Sequence, residues 1–587
     1  MILQALKEYY ERKVGDGSIA PDGWEYREIP YVIVLDDKGD LIQIENTQEQ
    51  YGTNKRSRRF LVPRSEPRTG NIKANLLWDK AEYIFEDIEV NKRTDRMANQ
   101  RAAFKARLEN ELGDIECIKT LLLLLNNKDL KEKLTKESCW EDIKKRNPLI
   151  TFRFHNELGL ICNRKEVVTK INMNNAGYLD NRYQDDAHQG ICLVSGNMAA
   201  ISRIHGKTFI NRKNNSLVSF QKNSGYDSYG KTQAYNAPIS KSVEFAYVTA
   251  LNTLLKSKKQ KFEIGDGVYV CWSADKTNFE NEFTSFFEDS SSRDNPDQFS
   301  EKVKALIESI YTGALIRDEA SLRFYILGLS PGGGTRISLR FWDSNTIGKY
   351  AYNIAQYFED LAICKPPSYP LYFSLARLLS SVAQQGDRSK IPPELAGRMV
   401  ASIVCNIPFP NFLLQAAIRR IHSGIKIKTK LGSEKIERVT PEIASIIKAY
   451  LNRYYRFYSN NHEGVSFELD INQSSIGYQL GRLFATLERI QEEANPGINS
   501  TITERFYGAA CSTPVTVFAN LLRLKNHHIA KLPSKGRVIF FNQLIGEIME
   551  KVDDFPSYLD LHEQGRFAIG YYHQRQAFYS PNTTVKQ

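Results

Sequence analysis

Cysteine, tryptophan and methionine are sparse in this chain of 587 residues, with 8, 5 and 6 of each. No two of Cys117, Cys139, Cys162, Cys192, Cys271, Cys364, Cys405 and Cys511 stand in a C-x-x-C spacing, which excludes a zinc knuckle or a thioredoxin-type dithiol. Scattered single thiols suit a reducing, cytoplasmic setting. Long apolar runs are missing too. The densest, Leu121 to Leu125, is bounded by Lys119 and Lys128 and is far too short to cross a membrane. Met1 to Lys13 carries Lys7, Glu8, Glu11 and Arg12 among its apolar residues and lacks the apolar centre of a signal peptide. No H-E-x-x-H zinc motif and no repeat of fixed period occurs. Neither a metal nor a cofactor is therefore expected.

What is present has globular proportions, with 42% hydrophobic and 25% charged residues. Such a length suggests two to four domains. The 79 Lys and Arg exceed the 68 Asp and Glu by a mild +11, so where the cations cluster matters more than their sum. Residues 1–345 mix helix and strand signals. Met1 to Arg12 reads as a helix, and Tyr31 to Leu35 with Leu41 to Ile44 as a hairpin. Lys55 to Lys73 reads as a basic loop punctuated by Pro63, Pro67 and Gly70. Asn75 to Asn147 reads as helical, and Phe152 to Val168 and Ile191 to Ile201 as strands. Val243 to Leu255 reads as a helix and Val268 to Trp272 as a strand. Leu322 to Leu329 and Ile337 to Trp342 read as strands on either side of a turn. From about residue 346 the patterns are helical, with a connecting region over 346–464 and a bundle over 465–587. The fold class is α+β, a mixed α/β N-terminal region followed by an all-helical C-terminal bundle.

Two letter patterns invite a catalytic reading and fail on context. Gly225 to Thr232 has phosphate-loop spacing, but Pro238 falls where the obligatory helix should run. Gly328-Leu-Ser-Pro-Gly332 has nucleophile-elbow spacing, but Pro331 has no N–H for an oxyanion hole and a strand follows. His527-His528 is the only adjacent histidine pair, and adjacent helical residues diverge too far for joint metal ligation. Glu492-Glu493 and Asp553-Asp554 read as solvated faces. No catalytic residue is assigned.

The cation clusters carry more. Lys55, Arg56, Arg58, Arg59, Arg64, Arg68 and Lys73 are seven cations opposed only by Glu66, and guanidinium forks suit phosphate. Around Arg203 to Lys231, Arg212, Lys213 and Lys222 alternate with amides, hydroxyls and the rings of Phe220, Tyr226 and Tyr229. Those groups can hold phosphates, read base edges and stack. Lys256, Lys258, Lys259 and Lys261 follow a helix, where they also suit its C-terminal dipole. Arg523, Lys525, Lys531, Lys535 and Arg537 have no acid among them from 521 to 540, and could form a positive track for a single strand. Base reading is expected from Asn71, Lys73 and Asn75 on one loop and Ser219, Lys231, Gln233 and Asn236 on another. Phosphate contact is expected from Lys55, Arg56, Arg58, Arg59, Arg64, Arg68, Arg212 and Lys213.

Several blocks are familiar in order. They are Met1-Ile-Leu-Gln-Ala-Leu6, Val62-Pro63, Thr69-Gly70, Asn75-Leu-Leu-Trp-Asp79, Ser216-Leu-Val-Ser-Phe220, Ser228-Tyr-Gly-Lys231 and Asn236-Ala-Pro238. Leu327-Gly-Leu-Ser-Pro331, Arg340-Phe-Trp342, Leu480-Gly-Arg-Leu-Phe484, Asn495-Pro-Gly-Ile498, Leu522 to His528 and Ala568 to Gln576 follow. Together they resemble the large subunit of type I-C CRISPR Cascade, in the Cas-eight superfamily (the Csd family). The stretches 85–150 and 280–320 carry little of the resemblance. It implies a DNA-binding, non-catalytic subunit that recognises a protospacer-adjacent motif in duplex DNA. It implies help in opening the duplex and forming the R-loop, and guidance of the displaced strand. Implied partners are CRISPR RNA, target double-stranded DNA, the Cascade backbone subunits, the handle-binding subunit, small subunits and a separate Cas helicase-nuclease. The C-terminal region resembles a small subunit, often made by internal translation. Gly464 to Asn472 holds no methionine, so that product would need a non-AUG start here. Two other readings stay open: an RNA-binding scaffold that holds only the guide, and a nuclease with an unrecognised acidic site.

Overall fold

Helix accounts for 53% and strand for 16% of the described residues, an α+β protein. The computed structural model describes residues 1–579 apart from 52–53, 67–71, 87, 90–93, 182–187, 211–212, 224, 226, 228, 288–297, 313–316, 333–336, 388–389, 429–433, 460–463 and 499. Two compact units result. The N-terminal unit holds residues 6–206 and 218–250, and the C-terminal unit holds 1–5, 207–217 and 251–587. Among the described residues no helix is long and apolar enough to cross a membrane.

The N-terminal unit is built on a four-stranded sheet in the order Leu41–Asn46, Tyr31–Leu35, Leu149–Phe154, Trp78–Lys80. Tyr-Val-Ile-Val-Leu is buried throughout, as an apolar strand between two neighbours must be. Its turn back into Leu41–Asn46 is the expected hairpin, closed at Asp36, whose carboxylate accepts from the N–H groups of Lys38 and Asp40. Tyr31–Leu35 pairs in parallel with Leu149–Phe154. Parallel pairing needs a long crossover, and the helices Thr94–Leu112, Glu116–Asn126, Leu130–Thr135 and Trp140–Arg146 lie within it. Leu108, Ile118, Leu121 and Ile143 come from these helices and share a core with Ile33, Ile150 and Phe152.

Two local expectations are corrected here. Residues 55–63 are not loop: Asn54–Ser57 pairs with Gln48–Tyr51, and Arg59–Pro63 pairs antiparallel with Trp24–Glu28. The short apolar run Phe60-Leu61-Val62 dominates over the proline at its end, since Val62 is fully buried and Pro63 accepts from the Trp78 indole at 2.7 Å. The strand expected over 152–168 ends at Phe154, and Lys165–Asn181 is a helix. Val167 and Ile171, four apart, are both buried, so the period is helical despite the β-branched residues.

In the C-terminal unit an antiparallel sheet runs in the order Lys261–Ile264, Gly267–Ser273, Arg323–Pro331, Ile337–Thr346. Residue 345 lies inside this unit, in the last strand. Thr346 ends that strand and caps the helix Ile347–Leu361, its side chain accepting from the Lys349 N–H at 3.3 Å. The core continues without a break from Phe262 and Phe324 through Tyr350, Ile447 and Leu483 to Phe567. Within it, Ile476–Ala494 and Leu561–Tyr579 approach closely. A Cβ on Gly481 would fall against the Phe567 carbonyl oxygen, and one on Gly570 against that of Tyr478. Only glycine lets these two backbones touch. Fully buried Arg482 ties the pair together, donating to Gln574 at 3.1 Å and to Glu547 of the Lys535–Met549 helix at 2.8 Å.

Candidate nucleic-acid interface

The first basic segment is presented by strands. Arg56, Arg58, Arg59 and Arg64 are all exposed. Arg56 lies opposite Glu49 in the short ribbon, and Arg59 stacks its guanidinium 4.6 Å from the Tyr26 ring centre. Arg58 is anchored by its backbone, which donates to the Thr47 carbonyl at 3.2 Å, while its guanidinium lies 3.9 Å from Glu45. Glu45 in turn pairs with Arg153 at 2.6 Å, so the longer contact to Arg58 adds little. Arg64 lies 5.6 Å from the Phe245 ring centre. The ribbon strand Asn54–Ser57 includes Lys55, but its side chain lies outside the described residues, as does that of Lys213 in the strand Lys213–Asn215. Arg68, Asn71 and Arg212 also lie outside the described residues.

Lys73 is exposed on a firmly held segment. Arg107, from the Thr94–Leu112 helix, donates to the Ala74 carbonyl and pairs with Glu66 at 3.2 Å and Glu111 at 2.8 Å. Asn75 is buried. Its side-chain oxygen accepts from the Glu66 N–H at 3.0 Å, and its own N–H donates to Asp79 at 2.8 Å. Asn75 is thus occupied in shaping the turn behind Lys73. Leu77 completes that turn at φ +63°, a conformation branched side chains resist, with its carbonyl taken by the Thr151 hydroxyl at 3.1 Å. Arg107 and Asp79 carry no signal in the sequence as positioning residues, because both act through contacts set by the fold.

The second polar segment is a loop with several left-handed residues. Asn223, Gly225, Tyr229, Gly230 and Gln233 all have positive φ. Asp227 organises it, accepting from the Asn223 N–H at 3.0 Å and more weakly from the Gln233 N–H at 3.4 Å. An aspartate ahead of glycine in a turn is the one signal that could have marked it. The side-chain amide of Asn236 donates to the carbonyls of Gln233 and Lys231 at 2.9 and 3.3 Å, closing the loop. Gln233 is half-buried, with its side-chain oxygen buried and lacking a hydrogen-bond partner among the described residues. Ser219 and Lys231 are exposed, and Tyr229 is fully so. Only the 3-10 turn Gln233–Asn236 follows Thr232, so the phosphate-loop spacing lacks its helix.

The nucleophile-elbow spacing fails as well. Ser330 is fully buried within the strand Arg323–Pro331, and its hydroxyl accepts from Arg340 at 2.7 Å. His528 bonds Asn495 at 3.3 Å, and among the described residues no three His, Cys, Asp or Glu are grouped to hold a metal.

The C-terminal cations divide. Arg523, Lys531 and Lys535 are exposed and Lys525 half-exposed, from the Phe518–Ile529 helix to the start of Lys535–Met549. Arg537 belongs to the fold. Its guanidinium grips both carboxylate oxygens of Glu493 and lies 4.8 and 4.6 Å from the Phe540 and Phe541 ring centres. Burial raises the Glu493 carboxyl, but the hydrogen bonds from Arg537 and Arg489 outweigh it and hold the group below its usual range. Glu493 is therefore a clamp and not the solvated acid its sequence suggests.

No curated protein matches this chain. A family model described as CRISPR-associated protein (Cas_Csd1) matches residues 6–579.

Proposed function

Since the chain belongs to the CRISPR-associated Csd1 family, we propose that it is the non-catalytic large subunit of a type I-C Cascade complex. In this reading it recognises the protospacer-adjacent motif in duplex DNA and promotes opening and R-loop formation. It guides the displaced strand and supports recruitment of a separate helicase-nuclease. Base pairing with the CRISPR RNA reads the long target, while protein reads the short flanking sequence. The partners are the guide RNA, target DNA, backbone, handle-binding and small subunits, in the cytoplasm.

One observation carries the reading: exposed donors stand on braced backbones in the same unit that displays the arginine strand. Lys73 projects from a segment fixed by Arg107, Asn75 and Asp79. Lys231 and Ser219 flank the loop held by Asp227, with Tyr229 at its exposed turn. A lysine amine can donate to guanine or thymine acceptors in a groove, and a braced backbone limits the entropy lost on binding. The arginines supply affinity without sequence preference. Gln233 and Asn236, like Asn75, shape the reading surface from behind.

The test is an affinity ratio in the assembled complex. Lys73→Ala and Lys231→Ala should each lower the preference for a right-motif over a wrong-motif duplex by about 1–3 kcal/mol for each base no longer read, at fixed salt. Equal weakening on both duplexes would instead make these lysines phosphate contacts. Parent complexes that bind RNA but show no motif preference would favour the guide-only scaffold.

A further inference from the structure

The helices that cross between the parallel strands of the N-terminal sheet enclose a cavity of about 310 Å³. Four cations line it: Arg101 and Lys105 from the Thr94–Leu112 helix, Lys128 from the turn after the Glu116–Asn126 helix and Lys131 from the Leu130–Thr135 helix. Among the described residues, Glu86 is the one acid in its lining. Phe85 and Trp140, both buried and packed edge to face at 5.1 Å, form an aromatic wall.

Arg101 and Lys105 are four residues apart on one helix, a like-charge spacing that costs stability. Burial first, and then the charge on Arg101, hold the Lys105 amine below its usual range, against weaker opposing effects of Glu86 and Glu109. Lys105 is steadied by the Asn126 side-chain oxygen at 2.8 Å, a neutral acceptor, so that Glu86 and Glu109 offset its charge only in part. Glu86 lies 3.2 Å from Arg101 but is 70% exposed, so this pair holds weakly. Such an arrangement gains from a bound anion, which relieves the repulsion between neighbouring cations.

We infer that this cavity binds a terminal phosphate monoester carried by a nucleotide. A monoester brings nearly two negative charges and three acceptor oxygens to one point, whereas a phosphodiester along a strand brings one. Arg101 supplies a planar fork of donors, Lys105 and its neighbours supply point charges, and the nucleoside packs beside Phe85 and Trp140, whose rings are almost wholly buried in the wall. The volume is at the small end of ligand cavities and suits one nucleotide and no length of duplex. A free mononucleotide and the phosphorylated end of a single strand share this chemistry. The inference does not depend on the motif-reading role.

Calorimetric titration of the full chain tests it, with adenosine 5′-monophosphate, adenosine, and a short single strand carrying either a 5′-phosphate or a 5′-hydroxyl. The monophosphate or the phosphorylated strand should bind, and its dephosphorylated counterpart should bind at least about tenfold more weakly. Binding by the strand alone assigns the site to strand ends, and binding by both assigns it to the monoester in general. Arg101→Gln/Lys105→Gln should weaken binding by about tenfold or more, while Lys302→Gln/Lys304→Gln, with the same change in charge, should keep the parent affinity. Inorganic phosphate should displace the ligand from the parent protein, a readout independent of how the variants fold. Retained affinity in the Arg101/Lys105 variant, no displacement by phosphate, or no binding by either phosphorylated probe overturns the inference.

Discussion

Arg56, Arg58 and Arg59 stand side by side in sequence yet are held differently. Arg58 faces Glu45 at the limit of an ion pair, and Arg59 rests on Tyr26. Both contacts are exposed and weak, so the guanidiniums can turn to phosphate at little cost. Replacing all three by alanine should weaken DNA binding equally on every sequence. It should also flatten the plot of log affinity against log salt by about 0.9 for each phosphate no longer neutralised. An unchanged slope would show that these arginines do not touch DNA. Arg537 is the opposite case, because Glu493 and two rings occupy it. Arg537→Ala should cost about 1 kcal/mol of stability, read by denaturant unfolding, against within about 0.5 kcal/mol for Lys531→Ala. Equal costs would mean the Glu493 clamp is not made in solution. Residue type alone could not separate these arginines, since both lie in strongly basic runs and only the fold brings Glu493 to one of them.

At the scale of elements, much was legible. The hairpin of Arg323–Pro331 with Ile337–Thr346 and the helices from Ile347 onward follow the periodicities of their sequences, but the region read as helical over 346–464 also holds the antiparallel strand pair Ile425–Lys428 and Glu434–Glu437. What stayed hidden rests on distant partners. Arg59–Pro63 is a strand because Trp24–Glu28 pairs with it, and Tyr31–Leu35 finds its parallel neighbour more than a hundred residues later. Asn75 looked like a base reader because its burial depends on Glu66 and Asp79 closing around it. The glycine contact of the C-terminal helices is of the same kind. Gly481 sits within an apolar stripe that announces a helix, but nothing nearby announces the Phe567 backbone. Gly481→Ala should push the Ile476–Ala494 and Leu561–Tyr579 helices apart and cost about 1–3 kcal/mol, measured as a lower denaturation midpoint. Stability equal to the parent would show that the helices are less closely packed than described. Around them, Arg523, Lys525 and Lys531 are outward-facing, and their joint replacement by alanine should leave motif preference intact while exposing the displaced strand to chemical footprinting. Unchanged protection of that strand would remove the bundle from its path.

For the molecule as a whole, a surplus of +11 over 587 residues is too diffuse to define a binding face. The two units divide the cations instead. The arginine strands, Lys73 and Lys231 belong to the N-terminal unit, and Arg523 to Lys535 belong to the C-terminal one. That division suits a protein that meets duplex through one part and single strand through another, with affinity set by phosphate contacts and choice set by a few base contacts. The most direct measurement assembles the chain with guide RNA and its partner subunits. Affinity is then compared for duplexes that share the guide-matched target and differ only in the flanking trinucleotide. The account predicts that one or a few trinucleotides bind tighter by about 1–3 kcal/mol per base read, at a single salt concentration, with the preference reduced in Lys73→Ala. Equal affinity for every flanking trinucleotide, with the guide-matched target still bound, would contradict it.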